Sequence, residues 1–478
     1  MSAGTVPELE PLPPSLARPV AEIQLADLCE RFESLCANAV DALEIAAGLE
    51  AEGFSDQTVR VCFDFPDVFA LAEDLHRRVP PSPAEPAPQP DPWRTSAWRH
   101  ALRGLLFGLP SLCYPVAAPM LSDVDAVPLL VVSTVVSWAL SQGLSFLGYS
   151  RLGNTDRDGA RRLLRIGLLG SVILLVAVIG LGAALAGRID PTAVFAAGQG
   201  AYLLAATVLF VDRGEWWLVA GLAPGVLASA VFLALGAPEG LRAGALAALG
   251  GTLVLTSGFA IGRTSWPAPG ASVPLRWSEL RAAWPYLAFG AIAAGLLAFP
   301  LLAMLLTPST SGGASNAMLA ALPLSLSMGA AEWLLYRYRS GTRRLLQRTR
   351  RVEDFAAGAW WQLGVTVARY LLCTAALMAA TRELGAVVGL SPQWTSLLAY
   401  AAYLALGGTL FLALLLQAFS GPASVLPWCG GALAVEIGYV VFDRAASVLR
   451  VQLLVCGGLL VALVLRAGAV LDKPARHR

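Results

Sequence analysis

The sequence predicts an all-α polytopic membrane protein, with about twelve transmembrane helices in two parallel six-helix halves and a small cytosolic helical domain ahead of them. Hydrophobic residues make up 56% of its 478 residues and charged residues only 14%, against roughly a quarter charged in a soluble domain. From residue 100 onward, apolar stretches bounded by Arg, Asp, Pro or Gly recur at the length of about 20 residues that a helix needs to cross a bilayer core of about 30 Å. The arginines between those stretches alternate in density, which gives the membrane part an orientation.

The expected spans cover 101–121, 126–148, 163–187, 191–211, 215–236, 240–262, 284–306, 317–336, 360–381, 396–417, 424–442 and 450–469. The first six form one half, residues 100–262. A cytosolic linker, 263–283, leads to the second half, 284–470, and a cytosolic tail closes the chain at 471–478. With the N-terminus inside, the loops after spans 2, 4, 6, 8 and 10 carry sixteen arginines. Arg151, Arg161 and Arg162 follow span 2, and Arg337, Arg343 and Arg344 follow span 8. The opposite loops carry five: Arg188, Arg242, Arg382, Arg444 and Arg450. This bias is the one the positive-inside rule expects. It places both termini in the cytosol and the chain in the cytoplasmic (inner) membrane, a location that also fits the acidic, Pro-containing start, which lacks a basic run into an apolar one.

Ahead of the spans, residues 1–20 are expected to be disordered and 21–79 to form the helical unit. Apolar residues keep helical spacing through "AEIQLADLCERFESLCANAVDALEIAAGLEAEG", which reads as one helix ending at Gly53. "FSDQTVRVCF" restarts a helix with Ser55 or Asp56 as its cap, and "FPDVFALAEDLHRRV" starts another with Pro66 near its first turn. A unit of about 60 residues has barely enough core of its own, so its spare apolar surface is either solvated or a docking point. The Pro-rich stretch "PPSPAEPAPQPDP" lies within an expected linker, 80–99, and favours an extended spacer.

The halves look duplicated. Laying "SQGLSFLGYSR" on "SMGAAEWLLYR" superposes Ser141, Gly143 and Arg151 on Ser327, Gly329 and Arg337 without a gap. Both stretches end an even-numbered span and run into an Arg-rich segment, which is expected to lie as a basic amphipathic helix on the cytosolic leaflet and to contact lipid or anions. Spans 1 and 7 both contain proline, Pro110 and Pro115 in one and Pro300 in the other. Matching interruptions in two halves point to a binding core between them.

Two sets of polar residues stand out inside the spans. Ser133, Ser137, Ser141 and Ser145 recur every four residues in span 2, with Gln142 beside them. A four-residue step turns about 40° on a helix, so they make one slowly winding stripe. That stripe either packs against a neighbouring helix or lines a hydrated cavity between the halves. Ionisable residues in spans are costly and point to function by default. Glu332, Arg369 and Glu436 are three such residues, with Glu332 and Arg369 able to pair and Glu436 suited to take up a proton.

The seven cysteines form no CxxC pair, so neither a disulfide framework nor a zinc site is expected. No P-loop, GxGxxG after a strand, HExxH or GxSxG in a fitting context occurs. The chain therefore reads as a non-enzyme without cofactor or metal, its basic segments facing the lipid bilayer and not nucleic acid.

The stretch "SQGLSFLGYSRLGNTDRDGARRLLRIGLL" resembles the multidrug, oligosaccharidyl-lipid and polysaccharide exporter superfamily, in which a span is followed by a "G(N/A)xDxxxARR" pattern. Twelve spans in two halves with Pro-interrupted spans 1 and 7 fit that resemblance over residues 100 to 470. Within the superfamily the chain leans toward the polysaccharide branch, which includes lipid II flippases and Pel-type transporters. "GFSDQTVRVCFDFPDVFALAEDLHRRVP" is similar to a stretch of actinobacterial membrane proteins. The superfamily resemblance implies export or flipping of a polysaccharide or lipid-linked saccharide by alternating access, with a glycan or its lipid-linked form as substrate. Two other readings stay open: cation-coupled export of small amphiphiles, and a non-transporting scaffold whose N-terminal helices recruit a cytosolic enzyme or a cytosolic or membrane glycosyltransferase as partner. The sequence departs from the lipid II flippases in lacking, in its first half, the buried arginines and carboxylates expected of a pyrophosphate site.

Overall fold

The computed structural model describes residues 25–79, 97–121, 127–187, 191–265, 275–306, 322–349, 351–387, 396–442 and 447–471. The expected disordered start, nearly all of the Pro-rich linker, Arg188, Arg444 and residues 472–478 of the tail lie outside them. The chain divides into two compact units, Met1–Arg94 and Thr95–Arg478.

In the first unit the long helix expected up to Gly53 is broken. Helix α1 covers Glu33–Asn38 and α2 covers Ala42–Ala51, with Ala39 extended between them. The cause is local. Asp41 accepts from the Glu44 amide at 3.1 Å while the Glu44 carboxylate accepts from the Val40 amide at 2.9 Å, and this reciprocal capping starts a new helix in mid-pattern. Ser55 caps α3, Asp56–Phe63, as expected. Helix α4, Val68–Arg78, is capped by Asp67, so Pro66 stands just before the helix and not in its first turn. Cys36, Ile45, Leu49, Val59, Leu71 and Leu75 are fully buried and form the unit's core.

The second unit is helical throughout its described residues. Nine described helices are long and apolar enough to cross a membrane, and the chain is a multi-pass membrane protein. Span 2 is Val127–Gly153, span 3 Arg157–Leu185, span 4 Pro191–Val211, span 5 Glu215–Ala234 and span 6 Glu239–Thr264. Span 8 is Leu322–Arg348, span 9 Val352–Val387, span 10 Leu397–Ser420, span 11 Leu426–Phe442 and span 12 Val448–Leu471. Spans 1 and 7 are interrupted, as their prolines predict. Span 1 runs through helix Ala97–Gly108, a 3-10 turn Leu109–Cys113 containing Pro110, and helix Tyr114–Leu121. Span 7 runs Trp277–Leu297, breaks at Ala298, and resumes as Phe299–Leu306.

The Arg-rich segments are not separate surface helices. Arg157, Arg161 and Arg162 belong to the first turns of span 3, and Arg337, Arg343 and Arg344 to the last turns of span 8. The turn before span 3 is tight because Thr155 adopts a left-handed conformation, φ 61°. Asp156 then caps the helix by accepting from the Gly159 amide at 2.8 Å. A Cβ on Gly159 would lie 2.0 Å from that carboxylate, so only glycine fits under the cap. With the cap satisfied, the helix begins inside the basic run, and no free amphipathic segment remains.

The two halves meet along two seams, span 1 on span 8 and span 2 on span 7. Both seams rest on glycine. A Cβ on Gly104 would lie 2.7 Å from the Gly329 Cα, and one on Gly290 would lie 2.8 Å from the Trp138 carbonyl and 2.9 Å from the Ala139 Cα. One constant chain spacing relates Gly104 to Gly290, Ser141 to Ser327, Gly143 to Gly329 and Arg151 to Arg337. The packing therefore repeats in step with the sequence. Small residues let helix backbones approach this closely where hydrophobicity alone does not drive association.

Candidate functional site

The first two serines of the stripe face their own half. Ser133 and Ser137 are buried, and the Ser133 hydroxyl donates to the Ala196 carbonyl of span 4 at 2.5 Å. Ser137 donates to the Thr134 carbonyl at 3.3 Å on its own helix. Gly200 of span 4 is what brings the helices together, since its Cβ would lie 3.0 Å from the Ser133 hydroxyl. Ser141 is buried without a hydrogen-bond partner among the described residues. Ser145 is half-buried, and Gln142 packs at the seam where a Cβ on Gly290 would lie 2.9 Å from its side chain.

Glu332 does not pair with Arg369. Arg369 is exposed on span 9, whereas Glu332 turns to span 1, accepting from Arg103 at 3.3 Å and lying 3.3 Å from His100 Nδ1. The helical phase explains the difference. Residues three and four apart share a face, and span 8 presents Glu332 on the same side as Gly329, which touches span 1.

Arg103 also donates to the buried Glu215 of span 5 at 2.9 Å, and Arg99 approaches Glu215 at 3.4 Å. Across the other seam Arg151 of span 2 donates to Glu279 of span 7 at 2.8 Å and to Asp156 at 3.2 Å. Asp212 at the end of span 4 accepts from Arg161 at 3.0 Å and from Arg263 of span 6 at 2.7 Å. Ion pairs thus tie the helices together at the Arg-rich end of the unit. Two of them bury charge in the first half, at Arg151 and Glu215, where none was expected. Both residues flank apolar runs in the sequence and read as rim residues. They are covered because the helices extend beyond the apolar stretch and pack there.

The second half holds a different kind of polar centre. Glu436 of span 11 is fully buried. Its Oε1 accepts from Cys456 Sγ of span 12 at 3.4 Å, and its Oε2 has no hydrogen-bond partner among the described residues. One turn before Cys456 on the same face, the buried Gln452 donates to the Leu296 carbonyl of span 7 at 3.3 Å, just ahead of the break in that span. The Gln452 Oε1 likewise lacks a partner. Thr409 of span 10 donates to the Cys456 carbonyl at 3.0 Å. Spans 7, 10 and 11 therefore each bond span 12 at Gln452 or Cys456, and the acceptor oxygen that Glu436 buries without a partner among the described residues chemically suits a proton or a small cation. Among the described residues no group of three or more His, Cys, Asp or Glu is placed to hold a metal ion. The sequence singled out Glu436; Gln452 and Cys456 were missed, and their signal was a polar pair four apart inside an apolar run.

No protein-family model matches the sequence. No curated protein matches it either. Among solved structures, the chain is similar to an inward-facing multidrug resistance MATE family transporter of the MOP superfamily, at 16% identity and a TM-score of 0.49, over 78% of this chain and 96% of that one. It is similar to an outward-facing MATE family transporter of the same superfamily at 16% identity and a TM-score of 0.42, over 79% and 95%. A MOP superfamily transporter from Pyrococcus furiosus, with a binding pocket of reversed polarity, aligns at 15% identity and a TM-score of 0.45, over 80% and 98%.

Proposed function

We propose that the chain is a gradient-coupled exporter working by alternating access, with Glu436 as the residue that takes up the coupling cation. The observation that carries the reading is the fully buried Glu436 carboxylate with one oxygen unpaired among the described residues. An ionised carboxylate without partners is expensive inside a protein, so protonation or a bound cation changes the stability of its surroundings. Those surroundings include the broken span 7, which forms one face of a seam. Taking up the cation shifts the balance between two arrangements of the halves, as differential affinity for two states requires.

For the substrate, the packing of Ser133 and Ser137 against span 4 removes two hydroxyls from any inter-half cavity and favours a small amphiphile. A lipid-linked saccharide is the second reading, favoured by the exposed arginines on span 8. The test is deletion in the native cell with complementation by wild type or by Glu436→Gln, reading both efflux of a lipophilic cationic dye and exported polysaccharide. Dye efflux restored by wild type and not by E436Q supports the first reading. Restored glycan export with unchanged dye efflux selects the second. Full activity of E436Q overturns the role of Glu436, and no change in either readout moves the chain to a scaffold.

A further inference from the structure

Span 8 carries a groove of about 230 Å³ near its Arg-rich end, lined by Trp333, Tyr336, Arg337, Ser340, Gly341 and Arg344. These residues recur at helical spacing and share one face. Tyr336 stacks on His100 of span 1, with ring centroids 6.0 Å apart, and a Cβ on Gly341 would lie 2.8 Å from Gln362 of span 9. The groove therefore runs on span 8 between spans 1 and 9. The Arg337 guanidinium lies over the Trp333 ring at 4.9 Å, which holds a cation against an aromatic wall without neutralising it.

What makes the groove unusual is its counterpart. The constant spacing between the halves sets Arg337 on Arg151, and Arg151 is buried and neutralised by Glu279 and Asp156. In the second half the position matching Asp156 is Thr342 and the one matching Asp158 is Arg344. Acids are thus replaced by a hydroxyl and a cation. Arg337 and Arg344 are both exposed and have no ion-pair partner among the described residues. The repeat has kept the arginine, lost its carboxylates and added a second positive charge two turns along the same face.

We infer that this groove binds a phosphate group, the negative charge taking the place that Glu279 and Asp156 take beside Arg151. Guanidinium groups match phosphate oxygens in geometry and charge. The source most in keeping with the site is an anionic lipid headgroup. Trp and Tyr rings gather at the membrane–water interface, and here they sit about two to three turns inward of Arg344, where a headgroup phosphate would meet the arginines and its glycerol the rings. A soluble phosphate compound shares the chemistry and approaches from the aqueous side. The site stands whether or not the chain transports anything.

The experiment is native mass spectrometry of the purified full-length protein in detergent, titrated with phosphatidylglycerol, phosphatidylcholine or inorganic pyrophosphate. Wild type is expected to retain phosphatidylglycerol over phosphatidylcholine. Arg337→Gln combined with Arg344→Gln is expected to lower that retention roughly tenfold or more. Arg343→Gln, which removes an equal charge from the same helix outside the groove, is expected to leave it unchanged. Arg344→Gln alone, with a smaller loss, serves if the double variant fails to fold. Displacement of the lipid by pyrophosphate assigns the phosphate to a soluble compound, and lack of displacement assigns it to the lipid. Equal retention by the double variant, or an equal loss in Arg343→Gln, overturns the site.

Discussion

Glu332 holds in one seam the place that Phe146 holds in the other. Phe146 stacks on Tyr286 with ring centroids 4.1 Å apart, and the same chain spacing that relates Phe146 to Glu332 relates Tyr286 to His100, which lies 3.3 Å from the Glu332 carboxylate. One seam is thus closed by an aromatic pair and its twin by charge. The charged one depends on Arg103, which is shared with Glu215. Glu332 is about one-third exposed, at 32%, and Glu215 only 5%. Glu332→Gln should therefore cost less than about 1 kcal/mol, while Glu215→Ala, which takes the buried carboxylate from Arg99 and leaves Arg103 only the longer contact to Glu332, should cost about 3 kcal/mol. Thermal midpoints in detergent measure the difference, and equal losses would mean that the seam pair carries the stability.

The glycine seam makes a sharper demand. A Cβ on Gly329 would lie 2.5 Å from the His100 carbonyl and 2.7 Å from the Gly104 Cα. Both are backbone atoms that can move only if the helices part. Gly329→Ala should cost roughly 1 to 3 kcal/mol and reduce the yield of folded protein. Gly251→Ala in span 6 meets nothing within 4 Å and should be tolerated. Size-exclusion profiles of the two variants decide it, and a normal profile for Gly329→Ala would show that the seam is looser than drawn.

How far the sequence showed this architecture follows from the length scale of each feature. Twelve apolar runs and the breaks at Pro110 and near Pro300 were legible because bilayer thickness and proline act on the chain locally. The overlay of Ser141, Gly143 and Arg151 on Ser327, Gly329 and Arg337 already held the pseudo-symmetry, and the seams show what its glycines do. The partner of Glu332 was not legible, because His100 and Arg103 are far away in the chain and sit at the start of span 1, where they read as flanking charge. The capping of Asp41 hid inside a helical pattern, and the start of span 3 at Arg157 hid inside a basic run. In both places a short-range hydrogen bond overrode periodicity.

Two serines of one stripe should behave differently. Ser133 donates to Ala196 across a helix contact, so Ser133→Ala leaves a buried carbonyl without that bond and should cost about 1 kcal/mol. Ser141 is buried with a hydroxyl unpaired among the described residues, so Ser141→Ala removes a polar group that gains nothing from its site and should leave stability unchanged or slightly higher. Parallel thermal melts of the two variants are the check. A loss at Ser141 matching that at Ser133 would show that its hydroxyl has a partner in the membrane-embedded protein, such as ordered water in a cavity.

The N-terminal unit offers its own probe, because its three cysteines differ in setting. Cys36 is fully buried in the core with Ile45 and Leu49, Cys29 is half-buried and Cys62 is exposed. Burial pushes the Cys36 thiol up from its ordinary value, and neighbouring Cys29 adds to that; burial also raises Cys29, with Arg78 opposing it. The thiolate is the reactive form, so at neutral pH a raised pKa and lack of access both slow alkylation. In the native full-length protein, Cys62 should react with iodoacetamide roughly a hundredfold faster than Cys36, whose labelling must wait for the core to open. Peptide mass spectrometry after timed labelling reads both rates. Equal rates would mean that residues 25–79 do not hold a core of their own, and the unit would then need a partner surface to complete it.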